Sequence, residues 1–244
     1  MPKIFVTRPI PEVGLKILRD KGYEVTVNEP ARDRAATAEE MSTGIKNADA
    51  LLSVLTDKVT AETMDAGAPT LKIIANYAVG FDNIDVEAAK QRGLMVTNTP
   101  GVLTDTVAEH TFALMLAIAH RIAEADKFAR AGKYHAWGPE LLLGTDVSGK
   151  VLGVLGLGRI GSRVAYHAVK GFGMKVLYYD PKQNVEFEKE YGAVYVPNVD
   201  DLLPQCDFVS VHVPLLDSTH HLINEERLKK MKPTAYLINT SRGP

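Results

Sequence analysis

Short apolar runs alternate with longer stretches in which apolar residues recur every three or four positions, and the alternation continues along the chain. Ile4, Phe5 and Val6 open the series. Val13, Leu15, Ile17 and Leu18, spread among polar residues over 12–21, follow with the spacing of a surface helix. The same reading predicts strands at 4–7, 23–27, 50–55, 71–75 and 94–97, with helices at 61–66 and 86–92. A further helix begins after Thr37, where Thr37 and Glu40 form a capping box. Strands that alternate with helices imply a parallel sheet covered on both faces, so the first hundred residues read as a flavodoxin-like α/β layer. The turn-forming cluster Asn98-Thr99-Pro100-Gly101 ends it, placing a first domain at 1–98 and a second at 99–244. Residues 104–130 carry no Gly or Pro and predict one long helix, followed by a loop over 132–148 that holds the only tryptophan, Trp137. A second βα series then starts, with strands predicted at 150–155, 174–179, around 195, 208–213 and 235–239. Its helices are predicted at 159–170, 186–191, 199–203 and 225–231.

The chemistry concentrates where that second series begins. The apolar strand at 150–155 runs into Gly156-Leu157-Gly158-Arg159-Ile160-Gly161, a G-x-G-x-x-G turn that opens a helix. Gly156 suits the tight turn, Gly158 lets the backbone approach two phosphates, and Gly161 lets the helix pack close to the sheet. The helix start would aim free N–H groups and a positive dipole end at those phosphates. The next strand ends in Asp180, near the spacing of about 20 residues at which a carboxylate takes up ribose hydroxyls. Such a carboxylate repels a 2′-phosphate, so the expected cofactor is NAD rather than NADP, with Lys182 the one nearby cation that would soften the exclusion. Taken alone, Asp180-Pro181 equally suits a plain turn. The second domain therefore reads as a Rossmann layer, and the chain as two doubly wound parallel-sheet domains.

Composition narrows the setting. Lys and Arg number 28 against 30 Asp and Glu, a net charge of −2 that leaves no electrostatic footprint for nucleic acid or an anionic membrane. The single cysteine, Cys206, excludes an intrachain disulfide and a thiolate metal site, which suits a cytoplasmic protein. The N-terminus turns polar too soon for a signal peptide, and the longest apolar run, 112–119, is too short for a membrane span.

Several blocks together resemble the D-isomer-specific 2-hydroxyacid dehydrogenases. They are Asn76-Tyr77-Ala78-Val79-Gly80-Phe81-Asp82-Asn83-Ile84-Asp85, Thr97-Asn98-Thr99-Pro100, Thr104-Asp105-Thr106-Val107-Ala108-Glu109, the 153–161 turn, 206–214, and 231–243 through Asn239-Thr240-Ser241-Arg242-Gly243. Within that family, Trp137-Gly138-Pro139 and Leu143-Gly144-Thr145-Asp146 are most similar to the glyoxylate and hydroxypyruvate reductases. The resemblance implies that backbone N–H groups of Val79 and Gly80 meet a substrate carboxylate, that Leu55 lines the substrate pocket, and that Thr106 lies near the nicotinamide. It further places Arg159, Ile160, His212, Val213, Pro214, Thr219 and Thr240 along the cofactor groove, and it implies a homodimer.

Arg242 follows the last predicted strand, at the carboxyl end of the sheet where doubly wound folds bind ligands. A guanidinium there grips a 2-keto acid's carboxylate by paired hydrogen bonds and steadies the charge that develops on its carbonyl, a fork that lysine does not present. In the family, a glutamate and a histidine beyond this arginine complete the site, the histidine protonating the carbonyl oxygen. The sequence here stops at Pro244 without them, and His110, His120, His135, His167, His212, His220 and His221 are not carried as catalytic. The expectation is thus a C-terminally truncated NAD-dependent reductase of small 2-keto acids, weak in NADH binding and inactive in this span. The alternative is a non-catalytic NAD(H)-binding relative that acts through a protein partner.

Overall fold

In the computed structural model, which describes residues 1–243, the chain forms two compact units, Met1–Val102 and the remainder from Leu103 onward. The division falls just past the Asn98-Gly101 turn cluster. No helix among the described residues is long and apolar enough to cross a membrane.

The first unit runs β1 (Lys3–Val6), α1 (Glu12–Asp20), β2 (Glu24–Val27), α2 (Ala38–Gly44), β3 (Ala50–Val54), α3 (Ala61–Ala66), β4 (Ile73–Tyr77), α4 (Val86–Gln91) and β5 (Met95–Thr97). All five strands pair in parallel, in the order β2-β1-β3-β4-β5, the doubly wound order of flavodoxin-like sheets. Successive residues of β1 serve opposite faces: Ile4 and Val6 pack with Leu15 of α1, while Phe5 packs with Met41, Ile45 and Leu51 beneath α2 and α3. Gly44 is required there, because a Cβ would lie 2.1 Å from the Phe5 ring. The capping box opens α2, with Glu40 N–H donating to Thr37 Oγ1 at 3.2 Å and Thr37 N–H donating to Glu40 Oε2 at 2.9 Å.

The second unit runs α5 (Thr104–Ala119), α6 (Ile122–Arg130), β6 (Val151–Leu155), α7 (Arg159–Phe172), β7 (Lys175–Tyr179), α8 (Val185–Tyr191), β8 (Val194–Tyr195), α9 (Val199–Leu202), β9 (Phe208–Val211), α10 (Glu225–Lys230) and β10 (Tyr236–Asn239). Its sheet is also parallel, in the order β10-β9-β6-β7-β8, which is the 3-2-1-4-5 sequence of a Rossmann layer read from β8. One face packs Leu152, Val154, Val176 and Phe208 against α5 and α7; the other packs Leu155, Val209 and Val211 against Leu202 and Cys206. On that second face Gly153 leaves the space that Cys206 fills, since a Cβ would sit 2.6 Å from its Sγ. Burial pushes the Cys206 thiol up to about 12, so it remains protonated.

The predicted helix over 104–130 is two helices. Arg121 takes left-handed backbone, φ 54°, between α5 and α6. The cause is tertiary: Thr145 N–H donates to Ala119 O at 2.8 Å, and Gly144 lies so close that a Cβ would be 2.5 Å from the same oxygen. The loop before β6 thus takes a carbonyl that a continuing helix would need, and Arg121 meets the roughly 1–2 kcal/mol cost of its conformation with help from Glu124, at 2.8 and 2.7 Å. The strand predicted at 71–75 lies at 73–77, because Leu71 N–H still closes the turn after α3 onto Gly67 O. The strand predicted at 208–213 ends at Val211. His212 N–H makes one last bond to Leu155 O, at 2.8 Å, and Pro214 has no N–H to offer.

Candidate functional site

The strand order of the second sheet changes direction between β6 and β9, and a doubly wound sheet opens its binding crevice at that point. Gly156 leaves β6 with φ +95°, and its N–H donates to Tyr179 O at 2.8 Å. A Cβ at Gly156 would lie 3.0 Å from Val213 N, so the two strand ends meet backbone to backbone. Gly161 is tighter still: its Cβ would be 2.0 Å from Gly156 O, which is how α7 comes so near β6. Gly158 differs from both. No atom lies within 4 Å of where its Cβ would be, its φ is −70°, and no side chain caps the helix it begins. Among the described residues no side chain caps the first N–H groups of α7, which have no intrahelical acceptor and follow a glycine with open space at its Cβ position. That is the cradle a diphosphate needs.

Asp180 turns toward this cradle. Its Oδ2 accepts from Leu157 N–H, inside the glycine turn, at 2.9 Å, and its Oδ1 accepts from Lys182 N–H at 3.1 Å. Each oxygen keeps a further acceptor position. His212 lies across the switch point, its Nε2 paired with Ser210 Oγ at 2.8 Å. Burial pushes the His212 imidazole down to about 4, so the ring is neutral at physiological pH.

A cleft of about 60 Å³ lies at the carboxyl ends of β9 and β10 and brings together Val213, Pro214, Thr219 and Arg242. Thr219 accepts from Leu216 N–H at 2.8 Å and donates to Pro214 O, closing the loop that roofs the cleft. Arg242 is half-buried, with Nη1 donating to Ser241 O at 2.8 Å, while Asn239 Nδ2 donates to Arg242 O at 2.6 Å. The cleft does not include the 156–161 turn or Asp180. Thr240 belongs to the opposite face: its hydroxyl pairs with that of Thr111 on α5 at 3.0 Å, following the alternation along β10 that puts Leu237 and Asn239 in the cleft. Thr106 is exposed on the first turn of α5.

Within the first unit, Leu55 is half-buried just past β3, and Val79 and Gly80 follow β4, its neighbour in the sheet. The Val79-Gly80 turn is held by its carbonyls. Asn98 Nδ2 donates to Val79 O at 2.8 Å, and Asn76 Nδ2 donates to Gly80 O at 2.9 Å. Asn76 is itself buried, accepting from Ser53 Oγ at 2.9 Å and exchanging hydrogen bonds with Asn83. No described residue accepts from the N–H of Val79 or Gly80, so both donors stay open on a braced turn. Ser53 escaped the sequence reading, and Asn76 and Asn83 were quoted only within the 76–85 block, with no role; a polar residue directly after each of the apolar runs Leu51-Leu52 and Ile73-Ile74-Ala75 was the available signal for Ser53 and Asn76.

Residues 112–244 match a known family domain, the NAD binding domain of the D-isomer specific 2-hydroxyacid dehydrogenases. The chain belongs to this family. Among 2-hydroxyacid dehydrogenase relatives, the glyoxylate reductase of Korarchaeum cryptofilum is 52% identical over 99% of this chain and 71% of its own length. The TT0316 protein from Thermus thermophilus superposes with a TM-score of 0.90 at 42% identity, covering 99% of this chain and 74% of that one. A D-lactate dehydrogenase from Aquifex aeolicus, complexed with NAD and lactic acid, superposes with a TM-score of 0.85 at 34% identity, covering 99% and 69%. The 2-hydroxyacid dehydrogenase chain is accordingly an oxidoreductase whose second unit is an NAD-binding domain. The open Gly158 and the uncapped start of α7 fit that cofactor's diphosphate.

Proposed function

We propose that the chain holds the cofactor- and substrate-gripping residues of an NAD-dependent reductase that interconverts a small D-2-hydroxy acid and its 2-keto acid, glyoxylate or hydroxypyruvate foremost. The carrying observation is the Asp180 carboxylate fastened to the glycine turn through Leu157 N–H, at 2.9 Å. In this reading Gly156, Gly158, Arg159, Ile160 and Gly161 cradle the diphosphate and Asp180 takes the ribose hydroxyls. His212, Val213, Pro214 and Thr219 wall the adenine side, with Thr106 nearer the nicotinamide and Thr240 along the groove.

NADH, when bound, supplies the hydride. Arg242 grips the substrate carboxylate and stabilises the negative charge that develops on the carbonyl oxygen. Within the first unit, the open N–H groups of Val79 and Gly80 offer donors to a carboxylate, and Leu55 lies beside them at the end of the neighbouring strand. Protonation of the oxygen needs an acid, and three of the seven histidines are already committed: His212 is neutral and paired with Ser210, while His220 and His221 stack on each other in an exposed turn. The glutamate and histidine that the family resemblance implies beyond the arginine would fill that role, and in this reading residues 1–244 bind the cofactor without turnover.

The test is NADH oxidation with glyoxylate and hydroxypyruvate by a chain extended to the length of its relatives. Arg242→Lys in that chain should lower kcat/KM by about 100-fold or more. A wild-type rate equal to a no-enzyme blank would sink the reading and favour a binding-only relative. A homodimer belongs to the same reading, supported by the exposed apolar residues Leu114, Ile118 and Ile122 along α5 and α6 and by Trp137 in the following loop, 79% exposed.

A further inference from the structure

Tyr178 and Asp180 stand two positions apart at the end of β7, the spacing at which side chains leave a strand on one face. Tyr178 is fully buried in the core beneath α7 and α8, yet its hydroxyl is engaged twice. It donates to Glu188 Oε1 at 2.7 Å and accepts from Asn184 N–H at 2.8 Å. Asn184 in turn caps α8, its Oδ1 accepting from Phe187 N–H at 3.0 Å, and Gln183 Nε2 donates to both oxygens of Glu188 at 3.0 and 3.1 Å.

The loop that leaves the strand at Asp180 is therefore tied back onto the same strand at Asn184. Inside that closed loop Lys182 N–H holds Asp180 Oδ1, and Tyr195 on β8 donates to the Asp180 carbonyl at 3.2 Å. A phenylalanine would fill the Tyr178 space without a polar atom to satisfy, so the hydroxyl's benefit lies in what it fastens. Burial pushes this phenol up to about 12, against the pull of the Asn184 N–H, so it remains a donor to Glu188 across the physiological range.

We propose that Tyr178 and Glu188 are positioning residues for cofactor choice, holding the 180–184 loop so that the Asp180 carboxylate stays where NADH presents a ribose hydroxyl and NADPH a phosphate. The inference rests on the reading of Asp180 as the ribose-binding carboxylate. With the tie cut, Lys182 no longer pins Oδ1, and the carboxylate, held by Leu157 N–H alone, turns from the sugar. NADH loses its hydrogen bonds and NADPH loses its repulsion.

The experiment is a fluorescence titration of the 244-residue chain with NADH and with NADPH, read as the ratio of the two dissociation constants. Tyr178→Phe and Glu188→Ala should each narrow the preference for NADH by about tenfold. Glu188→Gln, which still offers Tyr178 an acceptor, should keep it. Val176→Ala, a core truncation in the same strand, should lower thermal stability and leave the ratio alone, which separates positioning from general loosening. Equal weakening of both cofactors by Tyr178→Phe, or an unchanged ratio, overturns the positioning role while leaving the Asp180 assignment intact. A wild-type chain that binds NADPH as well as NADH overturns both.

Discussion

Two glycines three positions apart in the same turn should answer the same substitution in opposite ways. At Gly161 an alanine Cβ would sit 2.0 Å from Gly156 O and 3.1 Å from Gly156 C, both backbone atoms that no rotamer change can move. Helix and strand must part by about 1 Å to restore contact distance, and overpacking of this kind costs about 1–3 kcal/mol or more. Alanine recovers at most about 1 kcal/mol through its better helix propensity. With the net cost near the upper end, about 2 kcal/mol, because only backbone can yield, Gly161→Ala should lower the Tm of the unliganded chain by about 4–8 °C.

At Gly158 the added Cβ meets nothing within 4 Å, and φ −70° suits any residue. Alanine there should leave stability unchanged or raise it by about 0.4–1 kcal/mol through the unfolded state. The same methyl group stands in the approach to the first N–H groups of α7, so NADH affinity should fall by about tenfold or more. Thermal unfolding by circular dichroism, paired with NADH fluorescence titration of both variants, measures the two effects separately. Gly158→Ala that binds NADH like the wild type would refute the placement of the diphosphate at this turn. Gly161→Ala that melts like the wild type would refute the steric account of the helix–strand contact.

Asp180→Ala should narrow the preference for NADH over NADPH by about tenfold, and an unchanged preference in the same titration would remove Asp180 from the ribose site. His212 lies at about 4 in the folded chain against an ordinary 6.5, so the unfolded chain takes up a proton that the folded one refuses. Its stability contribution is whole above about pH 6.5 and is lost progressively toward pH 4, by up to about 3 kcal/mol. Melting curves across that range should be visibly flatter for His212→Asn, and parallel curves for the two proteins would dispose of this account. Ile118→Asp, on the exposed stripe of α5, should yield a monomer on size-exclusion chromatography if that stripe joins two copies, and an unchanged elution volume would point elsewhere.

Both sheets were legible in the sequence because burial on two faces leaves a periodic trace: Ile4, Phe5 and Val6 announce a strand whatever packs on them. The glycine turn was legible because each glycine answers a local steric demand, positive φ at Gly156 and close approach at Gly161. What could not be read depends on partners far along the chain. The break at Arg121 is made by Gly144 and Thr145, and nothing between 104 and 130 hints at it. The pairing of the Thr240 hydroxyl with Thr111, 129 positions away, is another such contact. The bracing of the Val79-Gly80 turn by Asn76 and Asn83 is likewise a tertiary fact, since a polar side chain in an apolar run shows that it needs a partner without naming one.

The fit of Cys206 against Gly153 makes the only sulfhydryl of this chain a built-in reporter. Protonated and shut away from solvent, it should ignore maleimides and mild oxidants while the second sheet is closed, then react as soon as that layer opens. The kinetics of its modification would follow local opening of the nucleotide-binding layer with no label added beforehand.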